Sequence, residues 1–160
     1  MKGAFTLQTP HDLCAKLESD YEALMQDRNN PYLAYNFFVT AEHMLDWVYP
    51  GYANKNKRQS ERDSEVLLQV CSHLATGAKH FVAEAKHHNS VSNSVRKRQS
   101  NPLAGPLGGP LVLRGGISGL CINLDGDAKE VFGSSVHVLR LAKLVLDYWK
   151  GHKVFANAVT

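Results

Sequence analysis

The sequence predicts a mainly α protein: a four-helix domain with a small β-hairpin before the last helix. Three observations predict it. Apolar residues recur at spacings of three and four along most of the chain, the period of a helix with one buried face. Thr9-Pro10 and Asn30-Pro31 each place a capping side chain before a proline suited to the first helical position. Only residues 111–124 switch to short apolar runs broken by glycine, the pattern of a hairpin. A length of 160 residues suits one domain, 1–160, and 44% apolar against 21% charged residues excludes disorder for most of it.

The first helix carries Leu13, Leu17, Tyr21, Leu24 and Met25 and stops at Arg28-Asn29-Asn30. The second carries Leu33, Phe37, Phe38, Ala41, Met44, Leu45 and Val48 and ends at Pro50-Gly51. So short a link makes these two an antiparallel pair. Residues 52–63 read as a solvated connector or the lead-in to a helix. A third helix is expected from about Ser64 to His88, with Leu67, Cys71, Leu74, Ala78, Phe81 and Ala85 on one face. Residues 89–110 lose all periodicity and read as a long loop. Leu111–Arg114 and Gly119–Leu124 read as the hairpin strands. Asp125-Gly126-Asp127 then caps a fourth helix, with Val131, Ser135, Val138, Leu139, Ala142, Val145, Leu146 and Trp149 as its stripe and Lys150-Gly151 as its end.

Several function classes are excluded by what the sequence lacks. It has no phosphate-binding G-x-x-x-x-G-K-[ST], no G-x-G-x-x-G, no G-x-S-x-G and no H-E-x-x-H. No apolar stretch reaches the roughly 18–20 residues of a spanning helix, so no membrane association is expected. The opening MKGAFTLQTPHD has no apolar h-region, and Cys14, Cys71 and Cys121 form no CxxC. A reduced, cytoplasmic protein is therefore the expectation.

Two constellations bear chemistry. In the second helix Asn36, Thr40, His43 and Trp47 fall at i, i+4, i+7 and i+11, with Asp46 beside them. In the third, Lys79-His80 follow Gly77, whose missing side chain permits close helix approach. If those helices face each other, His43, Asp46, Lys79 and His80 share a polar cleft. An imidazole titrating near neutrality beside a carboxylate has the makings of acid–base chemistry, and the four are the candidate catalytic residues. Structural hydrogen bonding among them is the alternative. Secondly, eight histidines are about twice the usual number. His73, His80 and His87 lie seven apart, and His80, Glu84 and His87 have a spacing that can converge on a metal. A di-iron bundle needs a second Glu-x-x-His, and none exists, so neither metal nor cofactor is expected. The clusters Lys55-Asn56-Lys57-Arg58 and Arg96-Lys97-Arg98 are the candidate nucleic-acid contacts, within a net charge of only +3.

The order of these pieces carries a resemblance over residues 31–150. Asn36-Phe-Phe-Val-Thr-Ala-Glu-His43-Met-Leu-Asp46-Trp47-Val, Cys71-Ser-His-Leu-Ala-Thr-Gly77-Ala-Lys79-His80-Phe, Ile122-Asn-Leu-Asp125-Gly and the closing Asp147-Tyr-Trp149 resemble a group of uncharacterised bacterial and phage proteins. Those proteins are similar to the HEPN superfamily of helical domains (higher eukaryotes and prokaryotes nucleotide-binding). The resemblance implies a four- to five-helix up-and-down bundle, often dimeric, that is either a metal-independent ribonuclease of toxin–antitoxin or defence systems or an inactive binding domain. The superfamily's catalytic signature is an Arg followed by a His after four to six intervening residues. None of Arg28, Arg58, Arg62, Arg96, Arg98, Arg114 or Arg140 has such a His. The leading expectation is therefore a binding module for a nucleotide, an RNA or a partner protein. A divergent ribonuclease comes second and a metal-binding bundle third. A homodimer would bury an apolar face, with Trp47, Tyr49 and Tyr52 as candidates.

Overall fold

Capping chemistry sets the first two helices where the sequence places them. In the computed structural model, which describes residues 5–79, 90–98 and 118–156, α1 spans Pro10–Gln26 and α2 spans Pro31–Val48. The Thr9 hydroxyl accepts the Asp12 N–H at 3.2 Å, and the Asp12 carboxylate accepts the Thr9 N–H at 2.8 Å. Two otherwise orphaned donors are thus satisfied reciprocally. Asn30 Oδ1 accepts the N–H groups of Tyr32 and Leu33 at 3.0 and 3.4 Å and does the same for α2. Leu13, Leu17 and Leu24 of α1 share one core with Phe37, Phe38, Ala41, Met44 and Leu45 of α2. Each fully buried Leu or Phe stabilises that core by about 1.5–3 kcal/mol.

The stretch read as a connector is mostly helix. After a 3₁₀ turn at Tyr52–Asn54, α3 runs from Lys55 to Ser64, and extended Glu65 separates it from α4, Val66–Lys79. α3 buries no residue, so no apolar stripe announced it. α4 buries Leu68, Val70, Cys71 and Ala75. The remainder of the expected third helix, 80–88, lies outside the described residues.

The loop assigned to 89–110 is corrected in part, because Val91–Arg98 forms β1. It pairs antiparallel with β2, Ser118–Leu124, in register from Arg98 opposite Ser118 to Val91 opposite Leu124, with one irregularity between Val91 and Asn93. The expected antiparallel pairing ahead of the last long helix is present, but its first strand comes from residues read as loop. Leu111–Arg114 lies outside the described residues. The single fourth helix is also corrected. α5 (Gly126–Phe132) ends at Gly133, whose φ of +87° suits glycine and breaks the helix. Ser135–His137 then adds to β2 as β3, and α6 restarts over Val138–Gly151, followed by the short α7, Lys153–Ala156. The sheet order is β1-β2-β3. Leu120, Ile122, Leu124 and Val136 are buried, in the same core as Val138, Leu141, Val145, Leu146 and Trp149 of α6. Among the described residues the fold is mainly α, with seven α-helices, and none of those helices is long and apolar enough to cross a membrane.

Candidate functional site

His43 and Asp46 stand one turn apart on α2 with 57% and 59% of their side chains exposed. His43 Nδ1 lies 3.8 Å from Asp46 Oδ2, beyond hydrogen-bond range. The firmer partner of Asp46 is Arg58, whose Nε is 3.0 Å from Oδ1. Arg58 also donates to the carbonyls of Tyr49 and Gly51 and is only 16% exposed. Its guanidinium ties the end of α2 to α3. The arginine expected to meet phosphate is thus committed to the backbone, while Lys55 and Lys57 are exposed on α3.

The rest of the expected stripe serves packing. Thr40 is buried towards α1, where its hydroxyl lies 2.6 Å from Asp20 Oδ2, 2.9 Å from the Asn36 carbonyl and 2.8 Å from the donating Lys16 ammonium. Glu42, the next residue before His43, turns inward to Arg62 at 2.7 Å and to the Ser72 hydroxyl on α4, and burial raises its carboxyl above the usual range. Trp47 and Tyr49 are half-buried against the core, and Tyr52 is 86% exposed.

The structure therefore joins His43, Asp46 and Arg58. Lys79 belongs to the last described turn of α4. His80, Glu84 and His87 lie outside the described residues, as do the side chains of Lys79, Arg96, Lys97 and Arg98. His73 Nδ1 accepts the Val91 N–H at 3.1 Å and lies 3.2 Å from Ser90 Oγ, tying α4 to the start of β1. Among the described residues no three His, Cys, Asp or Glu side chains are placed to hold a metal ion.

A groove of about 610 Å³ opens beside α3, lined by Tyr49, Asn56, Lys57, Ser60, Glu61 and Lys153. Glu61 accepts from Tyr148 Oη at 2.9 Å, lies 3.1 Å from His152 Nε2, and bonds the Tyr49 hydroxyl as well. Burial, aided by the Glu61 carboxylate, pushes the Tyr49 phenol up to about 12 and that of Tyr148 higher still. His152 Nδ1 accepts the Val154 N–H at 3.3 Å, which assigns the proton to Nε2. With Nδ1 bonded to the backbone and Nε2 set against the Glu61 carboxylate, this Glu–His pair anchors α7. Lys57 and Lys153 are exposed and form no ion pair with a described carboxylate. Sequence reasoning singled out Lys57 and missed Lys153, whose only signal is the basic run Lys150-Gly-His-Lys153 beyond the last expected helix.

No family model, no curated protein and no solved structure matches this chain.

Proposed function

We propose that this chain is a HEPN-like, cytoplasmic helical binding module that takes a phosphate-bearing ligand, an RNA or a nucleotide, into the polar groove beside α3. The observation that carries this reading is the pair Lys57 and Lys153. These two ammonium groups, with no ion pair to a described carboxylate, line a groove that also holds the Glu61 carboxylate, the hydroxyl of Ser60 and the amide of Asn56. Such groups contact phosphate oxygens without reading sequence. Binding is favoured over cleavage because the imidazole beside the groove has Nδ1 bonded to the backbone and Nε2 against the Glu61 carboxylate, and His43 stands exposed with its neighbouring carboxylate held by Arg58.

Fluorescence anisotropy with a labelled single-stranded RNA, repeated over a range of salt, tests the reading. Lys57→Ala with Lys153→Ala should weaken binding and lower the salt slope by about 1.4, since each lost contact to a single strand removes about 0.7. Binding unchanged by the double variant would refute the groove. Cleavage of the RNA by the wild type, lost in His43→Ala or His80→Ala, would replace the binding module with the ribonuclease.

A further inference from the structure

A second groove, separate from the one beside α3, lies between α1 and the start of α6. It has a volume of about 440 Å³ and is lined by Tyr21, Arg28, His137, Leu139, Arg140, Lys143 and Leu144. Three of those residues, Arg28, Arg140 and Lys143, are basic and none is acidic. Arg28 follows the end of α1, and Arg140 and Lys143 lie three apart on α6, so that α1–α6 packing alone brings the three together. Lys143 is neutralised by both oxygens of Asp147. Arg28 and Arg140 are exposed, and no described carboxylate forms an ion pair with either. Glu84 is the one acidic residue of the sequence outside the described stretches. Asp27, next in sequence to Arg28, instead accepts the Asn30 side-chain amide at 3.1 Å.

The inner wall is fixed. His137 Nδ1 accepts the Leu139 N–H at 3.2 Å, which leaves the proton on Nε2, a buried donor with no partner among the described residues. The ring is packed over Gly119, where a β-carbon would lie 1.7 Å from Nε2. Burial, and then the charge of Arg28, hold this imidazole neutral by lowering its pKa from 6.5. Two guanidinium groups beside one groove repel each other in the absence of a counter-charge, and each offers a planar fork that matches two phosphoryl oxygens. Tyr21, Leu139 and Leu144 supply apolar wall beyond the charges.

We infer that this groove is a binding site for a phosphoryl anion, held between Arg28 and Arg140 with Lys143 beside them. The site owes nothing to Lys57 or Lys153 and stands whether or not RNA binds beside α3. The probes are inorganic phosphate and phenyl phosphate, titrated at constant ionic strength against chloride. Binding is followed by calorimetry and by backbone amide shifts in NMR spectra of the whole chain. Both probes should bind and shift the amides of His137, Leu139 and Arg140. Arg28→Gln and Arg140→Gln should each weaken binding about tenfold or more, the loss expected for one charge-assisted bond, and Lys57→Ala should leave it unchanged. Phenyl phosphate binding more tightly would identify a phosphate monoester as the source, and equal affinity the free ion. Both arginines are exposed, and unchanged melting of the two variants without probe shows that they fold. Absence of binding by both probes, amide shifts confined to α3, or full affinity in the folded double variant would overturn the site.

Discussion

Gly119→Ala is the sharpest test of how the sheet is joined to α6. A methyl group there would lie 1.7, 2.5 and 2.9 Å from three atoms of the His137 ring. An exposed side chain would swing aside at little cost. This ring is held by the Leu139 N–H that it caps, so moving it uncaps α6. Loss of a cap costs about 1 kcal/mol and overpacking a further 1–3 kcal/mol or so, which together make about 2–4 kcal/mol. For a domain of this length each kcal/mol moves Tm by about 2–4 °C, so thermal and urea melts should both register the change clearly. The double-mutant cycle isolates the cause. His137→Ala loses the cap by itself, yet in that background Gly119→Ala should cost under about 1 kcal/mol, because the ring it strikes has gone. His137→Asn, which keeps an acceptor for the cap in a smaller side chain, should behave in the same way from a more stable starting point. Additive costs in the cycle, or a Gly119→Ala protein as stable as the wild type, would refute the reasoning.

Three further outcomes follow from named contacts. Thr40→Val leaves Asp20 and Lys16 with an apolar neighbour and should cost about 1–3 kcal/mol in urea melts, with Thr40→Ser recovering most of it. The Tyr49 phenol, raised from 10.0 to about 12, and that of Tyr148, raised further, should ionise only well above pH 10 in an ultraviolet pH titration. Because the folded state disfavours their ionisation, their contribution is complete below pH 10 and is lost as pH rises past about 12, and Glu61→Gln should move both phenols down. His137 works at the other end of the scale. Its folded pKa lies below 6.5, so the unfolded chain takes up the proton first, and stability should fall as pH drops from about 6.5. Arg28 and Arg140 line the same groove and Cys121 stands opposite His137 in the sheet, and the arginines hold their charge throughout that range. The difference in Tm between wild type and His137→Asn should therefore shift in favour of the variant between pH 6.5 and 5. A constant difference would show that the imidazole does not titrate there.

Local chemistry was legible in the sequence and distant pairing was not. The caps at Thr9 and Asn30 act within four residues, so their positions could be read directly and the structure agrees. The spacing that put His43 near Asp46 is of the same kind. β1 could not be read, because its Ser92-Asn-Ser94 and Arg96-Lys-Arg98 have no apolar alternation, and what makes them a strand is the backbone of β2 some 25 residues on. The break between α5 and α6 was hidden by coincidence. Val131, Ser135 and Val138 continue a helical period straight across Gly133, and Val136 is buried opposite Ile122 of β2, a contact periodicity does not contain. Composition misled in the same way at Arg58, one of three cations in four residues. Its two neighbouring lysines remain exposed while it turns inward to the end of α2.

The two arginines of the second groove show the same limit from the functional side. Each sits in a stretch with nothing to mark it, Arg28 in a turn and Arg140 on the polar side of an amphipathic helix, and the solvated face is the ordinary reading of either. Charge becomes informative only when folding decides which opposite charges come with it. Here it brings Glu18 to Lys150, Glu42 to Arg62 and Asp46 to Arg58, and leaves Arg28 and Arg140 beside one groove without a described carboxylate. A net charge of +3 cannot disclose such an arrangement, because the same composition would result if every arginine were paired and the excess lay on scattered lysines. The distribution of pairs, set by the packing of α1 on α6, distinguishes an anion site from a solvated face. Replacing Leu144 in the groove wall by Glu supplies the missing carboxylate. In the folded variant it should weaken phenyl phosphate while leaving RNA binding at Lys57 and Lys153 intact, and equal loss of both would mean that the two grooves are not separate sites.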